Sequence, residues 1–392
     1  MRVLIVHNTY RGPGGEDVVA RQEATLLREH GHDVREWWRS NSEFAGPLGL
    51  LRAPAHAVWA VDSRRILGRT IADFRPQVMH VHNFWMAVSP SAHRLARREG
   101  IAVVQTLHNF RLLCCNALLF RDGAPCELCL TKRFAYPGIV RRCYRGSVAQ
   151  SLLVAATMSV HRAIGTWDKS VHAYVALTEF ARHKFVEGGL PADRITVKPN
   201  FIPDPGLRTS AGDYAIFVGR LSGEKGVITM LRGWRALGDI PLKIVGNGPQ
   251  MAEAEAFLAQ HAVAGVELMG YRPRDEALRL LKGARFLVFP SECYESFPMS
   301  ILEAFASGVP VLASRRGAMS EIVRDGETGL LFAAGEASDL ARVARFAWTN
   351  PNALARIATN ARAAYEAQYS APANYPALMA VYERALARVK RS

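Results

Sequence analysis

The stretch Arg285-Phe286-Leu287-Val288-Phe289-Pro290-Ser291-Glu292-Cys293-Tyr294-Glu295-Ser296-Phe297-Pro298-Met299-Ser300-Ile301-Leu302-Glu303-Ala304-Phe305-Ala306-Ser307-Gly308-Val309-Pro310 decides how the rest of the chain is read. A short apolar run, Arg285–Phe289, reads as a buried strand that Pro290 ends. A loop then carries Glu295, a helix starts near Met299, and a second strand is expected over Val309–Ala313. Strand, loop, helix and strand in that order form the building block of a parallel sheet covered by helices.

The same alternation extends both ways. Downstream of a break at Pro199, Pro203 and Pro205, strands are expected at Ala215–Val218, Leu242–Val245 and Val266–Met269. Upstream of it they are expected at Val3–His7, Val78–His82, Ala102–Thr106, Tyr174–Leu177 and Ile195–Lys198. The loop Gly12-Pro13-Gly14-Gly15 feeds a helix from about Glu16 to His30, and Pro90–Glu99 reads as a helix entered through Ser89 as N-cap. The last residues are helical, with breaks near Asn350-Pro351 and Tyr369–Pro372. The fold class is therefore α/β, with two doubly wound domains: residues 1–200, with a Cys-rich insertion at 110–145, and residues 201–370, followed by a helix over 371–392.

Composition sets the outer bounds. In 392 residues, 49% are apolar and 21% charged, which excludes a disordered chain or a coiled coil. The opening lacks the apolar run of a secretory signal, and Val148–Val160 is too short and too polar to span a bilayer, so a cytoplasmic protein is expected. Residues 1–200 carry 27 basic and 16 acidic residues, which places most of the +14 net charge there. No nucleic-acid motif accompanies that charge, and nucleic acid is not expected as a partner. The segment Arg94–Arg145 holds ten basic residues against three acidic, interleaved with Phe110, Leu112, Leu113, Leu118, Leu119 and Phe120. It reads either as a patch for peripheral attachment to an anionic membrane surface, at the inner face of the cytoplasmic membrane, or as a solvated basic face over a local apolar core.

Loops after strands are where an α/β sheet places its ligands. Gly219-Arg220-Leu221-Ser222-Gly223-Glu224-Lys225-Gly226 sets a guanidinium and an ammonium beside glycine-rich backbone, which suits a phosphate clamp or a solvated basic loop. Gly246-Asn247-Gly248-Pro249 is either a turn or a place where a ligand comes close to the backbone. The first-turn amides of the helix after Pro298 could hold a diphosphate, and Glu303 one turn later suits paired sugar hydroxyls. Five cysteines fall between Cys114 and Cys143. Cys126 and Cys129 have zinc-knuckle spacing that Cys143 and Cys114 or Cys115 could complete; the other reading is reduced thiols.

The Gly219–Gly226 run, Gly246–Pro249, the Glu295–Glu303 pair with its Phe-Pro-Met-Ser helix start, and Gly317-Ala318-Met319-Ser320-Glu321 through Gly326-Glu327-Thr328-Gly329-Leu330 resemble retaining glycosyltransferase family four. Gly14-Gly15-Glu16, Thr106-Leu107-His108 and Ala176–Arg182 before Lys198-Pro199-Asn200 extend the resemblance over nearly the whole chain. It implies a GT-B fold, two Rossmann-like domains facing across a cleft, with a nucleotide-sugar donor on the second and a glycan or lipid-linked acceptor on the first. By the same resemblance Arg220 and Lys225 bind the donor diphosphate, Glu303 the ribose and Glu295 the transferring sugar. Phe297, Pro298, Met299 and Ser300 offer backbone amides or contacts, Gly15, Gly219 and Gly248 line the donor, and His108 touches the sugar near the reacting centre. The family's frequent aspartate after that histidine is Asn109 here. No Asp-x-Asp pair occurs, so no catalytic cofactor is expected and Cys114, Cys126, Cys129 and Cys143 remain the candidate set for a structural zinc. A silent nucleotide-sugar sensor, a scaffold, or another GT-B enzyme such as an epimerase are the competing readings.

Overall fold

The computed structural model describes residues 1–10, 12 and 14–390. Pro13 of the expected glycine loop, and Arg391 and Ser392 at the end of the expected last helix, lie outside the described residues. The chain divides into two compact units, the first made of Met1–Leu119, Cys126–Asn200 and the chain from Ala371 onward, the second of Phe120–Pro125 and Phe201–Ser370.

The first unit is a parallel sheet of β1 (Arg2–Thr9), β2 (Asp33–Ser40), β3 (Val78–Val81), β4 (Ala102–Thr106), β7 (Ala173–Ala176) and β8 (Ile195–Val197), in the order β2-β1-β3-β4-β7-β8. A two-residue-a-side hairpin, β5 (Phe120–Arg121) and β6 (Ala124–Pro125), falls between them in sequence. The central strands are apolar because both faces are covered: Val3, Leu4, Ile5 and Val6 are fully buried. The helix Gly15–Glu29 buries Val19, Ala20, Ala24 and Leu27 on the stripe that faces the sheet. β2 escaped the sequence reading because Asp33, Arg35, Glu36 and Arg39 mask its period. It lies at the sheet edge, where charged side chains discourage further pairing. The expected N-cap Ser89 is also displaced: the helix is Ser91–Arg98, and Ser89 Oγ instead accepts from the amides of Ser91 (3.3 Å) and Ala60 (3.1 Å).

The second unit repeats the plan with β9 (Ala215–Val218), β10 (Leu242–Val245), β11 (Val266–Gly270), β12 (Phe286–Phe289), β13 (Val311–Ser314) and β14 (Leu330–Phe332), ordered β11-β10-β9-β12-β13-β14. Its core gathers Phe217, Trp234, Ile244, Phe286, Val288 and Leu340. Each fully buried Leu, Ile or Phe side chain of such a core contributes about 1.5–3 kcal/mol.

The helix Ala371–Val389 returns to the first sheet, packing on β4, β7 and the helix Gly15–Glu29. Beneath it, Lys198 Nζ donates to Glu23 Oε1 (2.8 Å) and Asn374 Oδ1 (2.9 Å), with all three side chains buried. Burial acts to raise the Glu23 pKa, and the Lys198 ammonium overrides it and holds the carboxyl below its usual range. No helix among the described residues is long and apolar enough to cross a membrane.

Removing one member of a buried ion pair strands the other charge. Lys198→Met is expected to destabilise the protein by about 3–5 kcal/mol in denaturant unfolding, and Lys198→Met/Glu23→Gln to recover part of that loss. A single variant as stable as wild type would show that the pair does not hold the last helix.

Candidate functional site

In the second unit the chain leaves β9 through Gly219 and Arg220, makes a single turn at Gly223–Lys225 and enters the helix Val227–Trp234. Gly226 sits at φ +67°, and a Cβ there would lie 2.1 Å from the Pro290 carbonyl oxygen. Only glycine lets this loop lie against the loop after β12. The two loops are joined there: the Glu224 carbonyl accepts from the Glu292 amide (2.8 Å), and Ser291 Oγ stands 3.0 Å from the same carbonyl oxygen.

That junction brings two of the predicted site residues together. Lys225 Nζ lies 2.6 Å from Glu295 Oε1, Ser291 Oγ donates to the same oxygen at 2.6 Å, and the ammonium sits 5.6 Å from the Phe289 ring centroid. Burial would lower the Lys225 pKa, but the Glu295 carboxylate raises it above its usual range, so the ammonium is fully charged. Arg220 is exposed and forms no ion pair among the described residues. Glu303 does not join this cluster: its Oε1 lies 3.2 Å from both Nε and Nη2 of Arg274. Burial raises its pKa and Arg274 opposes the rise. Arg274, 29 residues upstream on the helix Arg274–Lys282, carries no local signal that could have identified it.

The helix Met299–Ser307 follows the loop after β12 that carries Glu295, with Pro298 in an extended N-cap conformation. Phe297 and Pro298 are buried, and the Phe297 ring packs edge-on against Tyr369 at 5.9 Å. Gly248 has a structural duty: a Cβ there would lie 2.2 Å from the Leu221 carbonyl oxygen, so its missing side chain admits the Arg220 loop. Gly219 packs near the Phe217 ring.

In the first unit, His108 follows β4 and its Nε2 lies 3.0 Å from His82 Nδ1. His82 Nε2 faces Glu23 Oε2 at 3.5 Å, and His80 Nδ1 faces the same oxygen at 3.4 Å. A carboxylate there favours a proton on His82 Nε2. Between His82 Nδ1 and His108 Nε2 one ring donates and the other accepts, according to the tautomer. Burial, with His7 next, pushes His108 down to about 3, so the ring is neutral. Glu23, His80 and His82 are the described residues whose donor atoms stand close enough together for a metal. Lys198 already neutralises that carboxylate, and both His80 nitrogens have partners, Tyr382 Oη at 2.9 Å and Thr106 Oγ1 at 2.7 Å. Within the group, Glu23 Oε2 and His82 Nε2 are buried without a hydrogen-bond partner of their own.

Gly15 is the exposed first residue of its helix, and the neighbouring Glu16 forms a polar group that the sequence reading left without a role. Asn83 Nδ2 donates to Glu16 Oε1 (2.8 Å) and the Asn109 side chain bonds it too. Burial, and then Asp17, push the Glu16 carboxyl up to about 8, with Arg111 opposing. Asn109 thus serves as a partner of a carboxyl group that stands beside it.

Two expectations change. Among the described residues, Cys114, Cys126, Cys129 and Cys143 form no group of sulphurs close enough for one ion. Cys114 Sγ donates to Asn116 Oδ1 (3.0 Å), and the buried sulphurs of Cys115 and Cys129 both pack on Gly138, where burial pushes their thiols up to about 12 and about 11. Phe110, Leu112, Leu113, Leu119 and Phe120 are likewise buried, so they form the local core of the basic segment and do not face a lipid surface.

Two family models match the chain: "Glycosyl transferase 4-like domain" over residues 14–200 and "Glycosyl transferases group 1" over residues 202–364. A D-rhamnosyltransferase of Pseudomonas aeruginosa is 29% identical over 160 residues, 40% of this chain and 42% of that protein. An MMP alpha-(1->4)-mannosyltransferase of Mycolicibacterium hassiacum is 32% identical over 153 residues, 38% of this chain and 37% of that protein. The matches therefore span less than half the length of these two relatives. Among solved structures, sucrose-phosphate synthase from Thermosynechococcus elongatus aligns with a TM-score of 0.74 at 17% identity, over 98% of this chain and 99% of that one. The Anabaena protein HepE, in complex with UDP and glucose, aligns with a TM-score of 0.67 at 16% identity, over 97% of this chain and 98% of that one. Both neighbours share the GT-B architecture of two Rossmann-like units. With both halves matched in order, the chain belongs to the group 1 glycosyl transferases.

Proposed function

We propose that the protein is a retaining, metal-independent glycosyltransferase that moves a sugar from a nucleotide-sugar donor to a glycan or lipid-linked acceptor of cell-surface polysaccharide or glycolipid synthesis. The observation that carries this reading is the Lys225–Glu295–Ser291 cluster on the joined loops after β9 and β12. A charged ammonium, the exposed Arg220 guanidinium and a helix N-terminus then lie on loops at the same end of the sheet, the complement of a diphosphate. On arrival the diphosphate shares Lys225 with Glu295, whose second oxygen stays available to sugar hydroxyls. Arg274 acts as a positioning residue that opposes the burial-driven rise of the Glu303 pKa and leaves Oε2 for ribose hydroxyls.

Chemistry needs no protein nucleophile in this reading. As the glycosidic bond breaks, negative charge builds on the leaving phosphate, which accepts the acceptor's proton while Arg220, Lys225 and the helix Met299–Ser307 offset the charge. His108 offers a neutral ring that can hydrogen-bond a hydroxyl. The basic first half suits an acceptor presented at an anionic surface on the cytoplasmic side.

Arg220→Ala and Lys225→Ala are each expected to cost about 1.5–3 kcal/mol, or about 10- to 150-fold in kcat/KM, with kcat lowered as well as KM raised. Glu303→Gln should mainly raise the donor KM. Wild-type constants in folded Arg220→Ala and Lys225→Ala proteins would remove the donor assignment.

Turnover should persist undiminished in excess EDTA. Activity that returns only with manganese or magnesium would overturn metal independence.

Glu16 supplies a pH dependence. Its folded pKa of about 8 lies above the ordinary 4.5, so its contribution to stability is whole below about pH 4.5 and is lost as pH rises through about 8. Thermal melts of wild type against Glu16→Gln should show wild type losing ground over that interval and levelling off above it. Parallel melting curves across the range would mean that Glu16 ionises normally.

A further inference from the structure

None of the residues around a cavity of about 590 Å³ in the first unit belongs to the sites described above. Its wall carries five cations: Arg64 from the helix Val61–Phe74, Arg94, Arg97 and Arg98 from Ser91–Arg98, and Lys169. No acidic side chain lines it, and among the described residues none of the five takes part in a salt bridge. Two are anchored by other means, which fixes the shape of the wall. Arg64 stacks on Trp59 at 4.8 Å, and Arg94 Nη1 donates to the Ile164 carbonyl at 2.7 Å.

Converging like charges oppose folding, and a fold keeps such a group where the compensating anion comes from outside the chain. The crowding is felt at Arg64, whose pKa is lowered by burial and then by Arg98 and Arg94. Guanidinium forks match phosphate oxygens in pairs, and a phosphate ester brings about −1.5 to −2 charges, which several cations can offset together. Trp59 and Ile164, 37% and 39% exposed, add an apolar flank for whatever bears the phosphate.

We propose that this cavity is a second anion site that binds a phosphate group, carried by a soluble small molecule or by a lipid headgroup. The test is calorimetric titration of the full chain with inorganic pyrophosphate in an Arg220→Ala/Lys225→Ala background, so that the cations of the second unit do not contribute. One pyrophosphate should bind, more weakly as salt rises. Adding Arg64→Gln/Arg98→Gln should weaken it by about tenfold or more, while Arg64→Lys/Arg98→Lys should retain most of it. The melting temperature of the Gln pair should equal or exceed that of its parent, because repulsion is relieved. Co-sedimentation then separates the sources. Wild-type protein that pellets with phosphatidylcholine vesicles containing phosphatidic acid, and not with phosphatidylcholine alone, places the phosphate on a lipid; pyrophosphate binding without pelleting places it on a soluble compound. Absence of pyrophosphate binding at low ionic strength, or equal binding by the Gln pair, overturns the proposal.

Discussion

The buried ion pair between Lys198 and Glu23 is the constraint on which the first unit is built. Neither charge can sit in that apolar interior alone, so the helix Gly15–Glu29, the end of β8 and the returning helix Ala371–Val389, through Asn374, must meet at one point. The chain's last helix is thereby recruited to the sheet formed by its first half. The pair also sets the chemistry around it. With Lys198 beside the carboxylate, the neighbouring imidazoles are held neutral: burial keeps His80 and His82 well below the usual histidine range. His82 in turn shares a hydrogen bond with His108 at the strand end.

The second unit solves a different problem, that of holding charge ready near its surface. Its loops after β9, β10 and β12 are locked by backbone approaches that side chains would forbid, at Gly226 against Pro290 and at Gly248 against Leu221. Rigid loops fix where Lys225 and Glu295 stand, and pre-set positions lower the ordering cost of binding. The same pairing raises the pKa of the half-buried ammonium, since partial burial without a carboxylate would favour loss of its proton.

Charge and apolar surface are separated within the Cys-rich segment. Its leucines, phenylalanines and two of its thiols form a small core under the chain, and Arg111 is buried with them against Trp85 and Tyr144. The arginines of the helix Ser91–Arg98 are directed elsewhere, to the cavity they share with Arg64 and Lys169. A sequence window such as 94–145 therefore merges two surfaces that the fold keeps apart.

Local pattern alone determined the alternation of strand and helix, the break near Pro199 and the loops on which ligand chemistry would sit, because apolar period and glycine or proline punctuation are written residue by residue. Ala102–Thr106, Ala215–Val218 and Leu242–Val245 read from the chain coincide with the strands observed. Local pattern misread Asp33–Ser40, whose charges belong to an edge strand, and left the cysteines open between a zinc cage and free thiols; among the described residues their sulphurs form no group of three close enough for one ion. Motif resemblance supplied Lys225 and Glu295 one by one, but their 2.6 Å contact joins residues 70 positions apart. Arg274 on Glu303 and His82 on His108 are likewise pairings across the sequence. Only the tertiary structure could decide these, because a protonation state or an ion pair depends on what stands within a few ångströms in space, and the chain brings distant residues that close only when its sheets have formed.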